Sequence, residues 1–227
     1  MPTFNLKVTD MAHGGSALGR DKHGRAIFVP FAIPGETVQV DVAKKRRGKG
    51  YSRATLLDVQ RPSPDRVEPE CPHYGRCGGC HFQHMRYKAQ LRAKETVVAD
   101  QLKRLGGLKN VDIKSTLSHP QPYGYRHEIA LSPTKEGKLG YWFPGERAVR
   151  PIDTCPIAHP RLLALLHDVD LELPGLRKLT LRLGDDGALL AALEVDDVEP
   201  PQLETDFPLS VAIVLPVALT IAHDMGM

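Results

Sequence analysis

The sequence lacks the features of secreted and membrane proteins. Its first ten residues, MPTFNLKVTD, contain no positively charged stretch followed by an apolar core, so they do not form a signal peptide. The longest apolar stretch, Leu209 to Ala222, is interrupted by Pro216 and is too short to cross a bilayer. We therefore expect a soluble protein of the cytoplasm without membrane partners. In that compartment, a group of cysteines indicates metal binding or catalysis rather than disulfides.

The sequence also lacks the common catalytic motifs. There is no G-x-G-x-x-G after a predicted strand, no Walker A motif, no H-E-x-x-H and no G-x-S-x-G. The glycine-rich stretch at residues 13–19 does not match a dinucleotide-binding loop and lies among predicted strands. We therefore predict that the chain contains binding residues and no catalytic residue.

The charge of the chain is nearly balanced, but its distribution is not. The 227 residues carry a net charge of only +3, so the total charge does not indicate nucleic-acid binding. One stretch of ten residues nevertheless contains six basic residues and no acid: Lys44, Lys45, Arg46, Arg47, Lys49 and Arg53. Such a run is either a solvated loop or a phosphate-binding patch, and composition alone does not favour one of the two.

The first sixty residues show the pattern of a small all-β domain. Apolar residues alternate with polar ones, or form short runs, in four segments: 4–8, 26–29, 38–42 and 54–59. Glycines and prolines separate these segments at short intervals, which predicts short strands with tight turns. We therefore predict an OB-like barrel over residues 1–61, with the basic run in the loop after the 38–42 strand.

A proline-rich stretch at residues 62–70 is interpreted as a linker to a second domain over residues 71–215. Apolar residues at Leu91, Val98, Leu102 and Leu105 predict a helix over residues 87–105, and a short helix is expected at residues 160–169. Strands are predicted at residues 111–117, 125–132, 139–143, 176–183, 188–195 and 209–215. The pattern favours a mixed α+β domain with a mainly antiparallel sheet, followed by an atypical tail at residues 216–227.

All four cysteines of the chain point to one metal site. They follow the pattern C-x5-C-G-G-C, with Cys71, Cys77 and Cys80 close together and Cys155 far along the chain before a proline. Structural zinc usually shows two C-x2-4-C pairs, whereas three clustered cysteines and a distant fourth fit a [4Fe–4S] cluster better. The alternative of a zinc site stays open, since nearby histidines could take part: His73, His81 and His84.

A second candidate site is the segment from Tyr123 to His127. It combines two tyrosines with Arg126, and such residues can stack on bases and bind phosphate. The same pattern also fits a strand whose tyrosines pack in a core. The residues alone favour this structural interpretation.

Three groups of motifs resemble one family when they are taken in order. The first is HGGSALGR at 13–20 followed by AIFVPFAIPGE at 26–36, and the second is the cysteine pattern followed by Gln83-His84, Tyr87 and Lys94. The third comprises GYR at 124–126, LGY at 139–141 and CPI at 155–157. The chain thereby resembles the class I S-adenosylmethionine-dependent RNA (uracil-5-)-methyltransferases, in particular the iron–sulfur 23S rRNA (uracil-5-)-methyltransferases.

The resemblance implies a TRAM barrel that binds RNA, a central domain with a [4Fe–4S] cluster on Cys71, Cys77, Cys80 and Cys155, and Arg126 as an RNA contact. It also implies a C-terminal Rossmann-like domain with the S-adenosylmethionine loop, a catalytic cysteine and a general base. We find none of these last features in the sequence, and the tail departs from the family pattern. The expectation is therefore an N-terminal portion without the Rossmann-like domain and without its own catalysis.

Two functional hypotheses follow from the sequence. In the first, the chain is a monomeric, RNA-binding part of a ribosomal RNA methyltransferase, and S-adenosylmethionine is a cofactor only of the full-length enzyme. In the second, it is a free-standing RNA-binding module or adaptor whose metal site, iron–sulfur or zinc, is structural.

Overall fold

The computed structural model describes residues 3–43, 50–169, 171, 173–196 and 208–215. The chain divides into two compact units, Met1–Pro120 and Gln121–Met227, and each is described by itself. Five residues of the basic run, within 44–49, and the predicted tail at 216–227 lie outside the described residues.

The first unit contains a closed five-stranded barrel. Its strands are β1 (Thr3–Met11), β2 (Ser16–Arg20), β3 (Ala26–Pro30), β4 (Thr37–Val42) and β5 (Tyr51–Arg61). The strand order around the barrel is β1-β2-β3-β5-β4, and only β3 and β5 run parallel. Alternation of apolar residues predicted every strand except β2. That strand is short and contains Gly19, so it carries little of the alternating pattern.

The barrel closes around side chains that point inward at every second position. Val8, Ile27, Val29, Val38 and Val40 are completely buried, and all belong to one apolar cluster. Because successive side chains of a strand point to opposite faces, the same strands expose polar residues outward. Burial of these β-branched side chains accounts for the stability of so small a domain.

Helix α1 (Tyr87–Arg104) packs against the barrel unit through a different face from the predicted one. Its buried residues are Ala89 and Ala93, which share a cluster with Met11, Ile33 and Met85. Of the positions that predicted the helix, Val98 is 48% exposed and Leu105 is 77% exposed. Small alanines allow close approach to the barrel, so the apolar spacing identified the helix but not its packed face.

The strand predicted at residues 111–117 is wrong, because this segment has no regular structure. It runs along α1, whose side chains and backbone satisfy its polar groups. Glu95 Oε1 accepts the Thr116 N–H at 2.6 Å, and the Tyr87 hydroxyl oxygen accepts the His119 N–H at 2.9 Å. Its apolar residues, such as Leu117 at 93% exposed, have no sheet to join.

The second unit contains a six-stranded sheet in the order β11-β10-β9-β6-β7-β8. Its strands are β6 (Glu128–Pro133), β7 (Leu139–Phe143), β8 (Ala148–Pro151), β9 (Leu176–Leu183), β10 (Leu189–Val195) and β11 (Ser210–Val214). All pairs are antiparallel except β10 with β11. At Gly140 the backbone of β7 approaches β8 so closely that any Cβ would overlap the Arg150 carbonyl.

Helix α2 (Pro160–Asp168) contributes to the core of this second unit. His159 precedes it, and its Nδ1 accepts the Arg161 N–H at 3.2 Å, while Pro160 starts the helix. Leu162 and Leu165 are buried on its inner face. The helix contacts β9, whose Leu179 and Leu181 are also buried. These four side chains form the apolar layer between the helix and the sheet.

The predicted fold class is therefore wrong for the second part of the chain, which was expected to be a mixed α+β domain, whereas the barrel itself is present. The described residues form two sheets with eleven strands, and two helices. The physical reason lies in α1, which packs on the barrel unit through Ala89 and Ala93 and leaves the second unit with one short helix. Neither helix in the described part of the chain is long and apolar enough to cross a membrane.

Candidate metal centre

Residues 71–84, here called the cysteine segment, form a series of tight turns beside the barrel. The Tyr74 N–H donates to the Cys71 carbonyl at 3.0 Å, and the Cys77 N–H donates to the His73 carbonyl at 3.0 Å. Gly78 has a φ of 77°, a left-handed conformation that glycine adopts without strain. The two glycines of the C-G-G-C pattern thus have a conformational role, because they allow the chain to reverse between Cys77 and Cys80.

The thiols of this segment are partly accessible. Cys71, Cys77 and Cys80 are each half-buried, and none forms a disulfide. A Cβ on Gly79 would lie 3.5 Å from the Cys77 sulfur, so the glycine leaves the space next to that sulfur open. In the described part of the chain, no three Cys, His, Asp or Glu side chains are gathered as a metal-binding group. The donors therefore suit a thiolate-bound metal, but they are not already assembled around one.

Gln83 holds the start of the cysteine segment. Its Oε1 accepts the Cys71 N–H at 3.2 Å, and the residue is only 7% exposed. Nε2 of the same side chain is buried and has no hydrogen-bond partner among the residues that the structure describes.

His84 joins the cysteine segment to the barrel. This imidazole is 2% exposed, with Nδ1 2.6 Å from the Tyr74 hydroxyl and Nε2 3.4 Å from the Ala32 carbonyl. The Tyr74 ring meets the edge of Phe31 at 5.4 Å, which adds an aromatic contact between segment and barrel. Cysteine segment and barrel are therefore one packed structure.

Burial sets the protonation states of this contact. Loss of water lowers the pKa of His84 to about 4, so the imidazole is neutral at pH 7. Burial also raises the pKa of the Tyr74 phenol, which keeps its proton and stays a hydrogen-bond donor. Of the three histidines considered as zinc ligands, His84 is thus already engaged through both of its nitrogens.

A buried ion pair fastens the linker region to the barrel. Glu36 is 0% exposed and accepts hydrogen bonds from the Ile33 N–H at 2.9 Å and the Ser63 N–H at 3.0 Å. Arg66 donates through Nε at 2.6 Å and Nη2 at 2.7 Å to the same carboxylate. Burial tends to raise the pKa of Glu36, but the hydrogen bonds and the charge of Arg66 outweigh burial and lower it.

Arg66 also donates to the Phe31 carbonyl at 2.9 Å. Phe31 has a φ of 65°, a left-handed conformation that is strained for a non-glycine residue. The guanidinium and the aromatic contacts hold this residue in place, so residues 31–36 form the platform on which the cysteine segment rests.

The glycine pair of the first motif also meets the cysteine segment. Gly15 has a φ of 81°, and a Cβ there would lie 2.7 Å from the Cβ of His81. Gly14 has a φ of 84° with nothing within 4 Å. Gly15 is therefore needed for close approach, whereas Gly14 is needed only for its backbone conformation.

The fourth cysteine lies in the second unit. Cys155 is 8% exposed and sits in a turn in which its carbonyl accepts the Ala158 N–H at 2.9 Å. Residues 124–126 pair with the turn, since the Arg126 N–H donates to the Ile157 carbonyl at 2.8 Å and the Gly124 N–H donates to the Pro156 carbonyl at 2.9 Å. Two of the motifs named above, GYR and CPI, are thus neighbours.

Among the predicted RNA contacts, Arg53 and Arg126 fall within the described residues. Arg53 is exposed on β5 and lies opposite Phe28 of β3. Phe28 and Tyr51 form an edge-to-face pair at 5.4 Å beside it. Arg126 is half-buried. The other predicted contacts lie outside the described part of the chain: Lys44, Lys45, Arg46, Arg47 and Lys49.

Sequence reasoning missed the residues that support the cysteine segment. Glu36, Arg66 and Tyr74 were not selected, and Gln83 was noted only as part of a motif. One signal was available for Glu36: it is a carboxylate directly after Pro34-Gly35, between two apolar segments, and would need a partner if it were buried. The partner itself, 30 positions along the chain, follows only from the fold.

Comparisons with known proteins agree with these observations. Residues 2–57 match the TRAM domain family. An RNA methyltransferase of Halalkalibacterium halodurans is 39% identical over 68% of this chain and 34% of its own length. A relative from Synechocystis, also named an RNA methyltransferase, is 34% identical over 88% of this chain and 46% of its own length. The 23S rRNA (uracil(1939)-C(5))-methyltransferase of Alkalilimnicola ehrlichii is 32% identical over 82% of this chain and 44% of its own length.

One solved structure shares the fold. The tRNA (uracil-54, C5)-methyltransferase of Pyrococcus abyssi, in complex with S-adenosyl-L-homocysteine, matches with a TM-score of 0.53 at 23% identity. The match covers 86% of this chain and 47% of that protein. This likeness concerns the fold only.

The predicted fold class also described the chain by its lack of a Rossmann-like domain, and this part of the prediction is wrong as well. Relatives align with up to 88% of this chain. The described residues are therefore characterised by what they form, a closed barrel and a six-stranded sheet. The chain spans less than half the length of these curated relatives. The chain thus contains a TRAM-family barrel, and along most of its length it is similar to RNA methyltransferases, the 23S rRNA uracil-C5 enzymes among them.

Proposed function

We propose that this chain provides the RNA-binding and iron–sulfur-carrying part of a ribosomal RNA uracil-C5 methyltransferase of the cytoplasm. The observation that carries the proposal is the attachment of the cysteine segment to the TRAM barrel through His84, Tyr74 and the 31–36 platform. A segment with three thiols that is fixed on an RNA-binding barrel supports a structural role for its metal.

The proposed cluster ligands are Cys71, Cys77, Cys80 and Cys155. The first three form no disulfide and lie in a turn-rich segment, which suits thiolate ligation, and the choice of Cys155 depends on the sequence alone. When bound, the cluster supplies a covalent link between distant parts of the chain and stabilises the folded state. The protein's own residues hold the cysteine segment against the barrel.

Phosphate contacts are proposed for the basic run, which includes Arg53, and for Arg126. In the sequence the residues of this run lie directly before Tyr51 or within the first residues of β5, and Arg53 on β5 is exposed. A guanidinium contributes to RNA affinity mainly through charge, which makes the contact dependent on salt. Arg126 is proposed as a second contact, in the second unit.

Methyl transfer is not assigned to this chain. The four cysteines are all proposed as cluster ligands, so none remains as a nucleophile for uracil. S-adenosyl-L-methionine is the methyl donor implied by the family, and we assign no residue of this chain to it. We expect the purified chain to bind ribosomal RNA transcripts without methylating them.

The test is anaerobic purification followed by iron and sulfide analysis and absorption spectroscopy. We expect a brown protein with broad absorption at roughly 400 nm, and loss of iron in the Cys77→Ser and Cys155→Ser variants. A colourless protein with bound zinc would support the alternative, an RNA-binding module with structural zinc. Full iron content in both variants would refute the proposed ligands.

RNA binding is tested separately by fluorescence anisotropy with a labelled ribosomal RNA fragment. Arg53→Ala is expected to weaken binding and to reduce the salt slope by about one. Arg104→Ala is the matched control, because Arg104 is an exposed arginine paired with Asp100 on α1. Equal effects of the two variants would exclude a specific role of Arg53.

A further inference from the structure

Gln83 has an amide group of which only one half is satisfied. Its Oε1 accepts the Cys71 N–H at 3.2 Å, whereas its Nε2 is buried and finds no acceptor among the described residues. The residue is 7% exposed, so water does not freely replace the missing partner. A buried amide nitrogen without an acceptor destabilises the folded state, which calls for a specific explanation.

The orientation of this amide is fixed by chemistry. The two ends of a glutamine amide differ only in their hydrogen-bonding roles, so the assignment follows from the neighbours. Because the backbone N–H of Cys71 can only donate, the oxygen of Gln83 must face it. The two N–H groups of Nε2 therefore point elsewhere, at the Cys71 end of the cysteine segment.

The acceptors that this site lacks are the ones that a metal would bring. Free thiols are weak acceptors, but thiolates and sulfides that carry negative charge accept N–H groups well. Cys71, Cys77 and Cys80 are not yet gathered as a metal-binding group in this structure. Gathering them around iron places charged sulfur at the Cys71 end, beside the amide.

We propose that Gln83 is a positioning residue of the cysteine site, whose Nε2 donates a hydrogen bond to a sulfur atom at the Cys71 end of the bound cluster. The inference rests on the proposed function, since it needs the cluster. Oε1 holds the Cys71 backbone, and Nε2 stabilises the negative charge of the sulfur. Hydrogen bonds to sulfur raise the reduction potential of iron–sulfur clusters, so Gln83 also raises the potential here.

The test compares the wild type with Gln83→Glu and Gln83→Met after anaerobic reconstitution. Glu keeps an oxygen for the Cys71 N–H but has no N–H donor, and Met has neither group. Gln101→Glu is the control, because it makes the same chemical change on α1, away from the cysteine segment. The readouts are the iron content, the rate of iron loss to a chelator and the reduction potential of the cluster.

We expect both Gln83 variants to bind iron about tenfold less tightly and to show a more negative reduction potential, with Gln101→Glu unchanged. A purely structural role would lower thermal stability without moving the potential. If either folded variant keeps the wild-type potential and rate of iron loss, the inference is refuted. If the wild type itself takes up no iron–sulfur cluster, the proposed function fails first, and that result is distinct.

Discussion

The buried Glu36–Arg66 pair gives the sharpest test of how the first unit is held together. We predict that Glu36→Gln strongly destabilises the barrel although it changes only one atom of the side chain. The carboxylate accepts four hydrogen bonds, from Ile33, Ser63 and the two nitrogens of Arg66. In Glu36→Gln, an NH₂ group replaces one of the oxygens. This group is a donor and cannot accept the N–H groups around it, and the guanidinium of Arg66 loses its counter-charge.

The size of the effect follows from burial. Glu36 is 0% exposed, and removal of one partner of a buried pair typically costs about 3–5 kcal/mol. For a domain of this size that corresponds to a fall in Tm of roughly 12–20 °C, at about 4 °C per kcal/mol. Asp58→Asn is the matched control, because Asp58 is an exposed carboxylate of the same barrel, and we expect its effect to stay within about 0.5 kcal/mol.

The assay is thermal unfolding by circular dichroism together with amide hydrogen exchange. Exchange locates the effect, since β1 and β4 should lose protection in Glu36→Gln. A double-mutant cycle with Arg66→Met should show coupling of about 1–3 kcal/mol, because the two side chains are in direct contact. A loss below about 1 kcal/mol for Glu36→Gln, or additive single effects, would refute this account of the pair.

The pair also predicts a pH dependence. The folded pKa of Glu36 lies below its ordinary value of 4.5, so the ionised form is favoured by folding. Its contribution is therefore fully present above that value and is lost as the pH falls through the folded pKa. The difference in stability between wild type and Glu36→Gln should shrink on acidification, and a constant difference would contradict the assigned pKa direction.

Three further predictions concern single residues. Gly14→Ala should lower the free energy of unfolding by about 1 kcal/mol through backbone strain alone. Gly15→Ala should lower it by about 1–3 kcal/mol more, because its Cβ also meets the cysteine segment. Equal melting temperatures of the two variants would refute this. The pKa of His84 is lowered to about 4 in the folded state, whereas it lies near 6.5 in the unfolded chain. The free energy of unfolding should therefore keep its full value above about pH 6.5 and fall by about 3 kcal/mol towards pH 4. His84→Asn should remove this acid dependence in urea titrations. Gly140→Ala should destabilise the second unit by at least about 2 kcal/mol, measured by tryptophan fluorescence, while Gly145→Ala, with nothing within 4 Å, should not.

The sequence predicted the strands of the barrel well because one physical rule applies there. Barrel side chains alternate strictly between core and solvent, and Val38, Val40 and Val42 show that alternation without knowledge of their partners. In β9, Leu179, Leu181 and Leu183 follow the same period of two, whereas β10 is a nearly continuous apolar run. Local patterns thus identify elements whose burial repeats regularly.

The residues that form contacts between elements could not be predicted in this way. The packed face of α1 consists of alanines, which give only a weak apolar signal, so larger and exposed residues misled the prediction. Segment 111–117 has the composition of a strand, but its backbone is satisfied by α1 instead of a sheet. In both cases the outcome depends on the partner surface, which no local pattern contains.

The contacts of the cysteine segment converge on one short stretch of the barrel. Residues 31–36 provide the Ala32 carbonyl for His84, the Phe31 ring for Tyr74, and Glu36 for Arg66. By linkage, a metal that binds only the folded segment also stabilises the platform, and a weaker platform lowers the affinity for the metal. Glu36→Gln, which touches no cysteine, should therefore also speed the loss of iron. This consequence connects the stability of the barrel to the occupancy of the proposed metal site, and it holds for iron and for zinc alike.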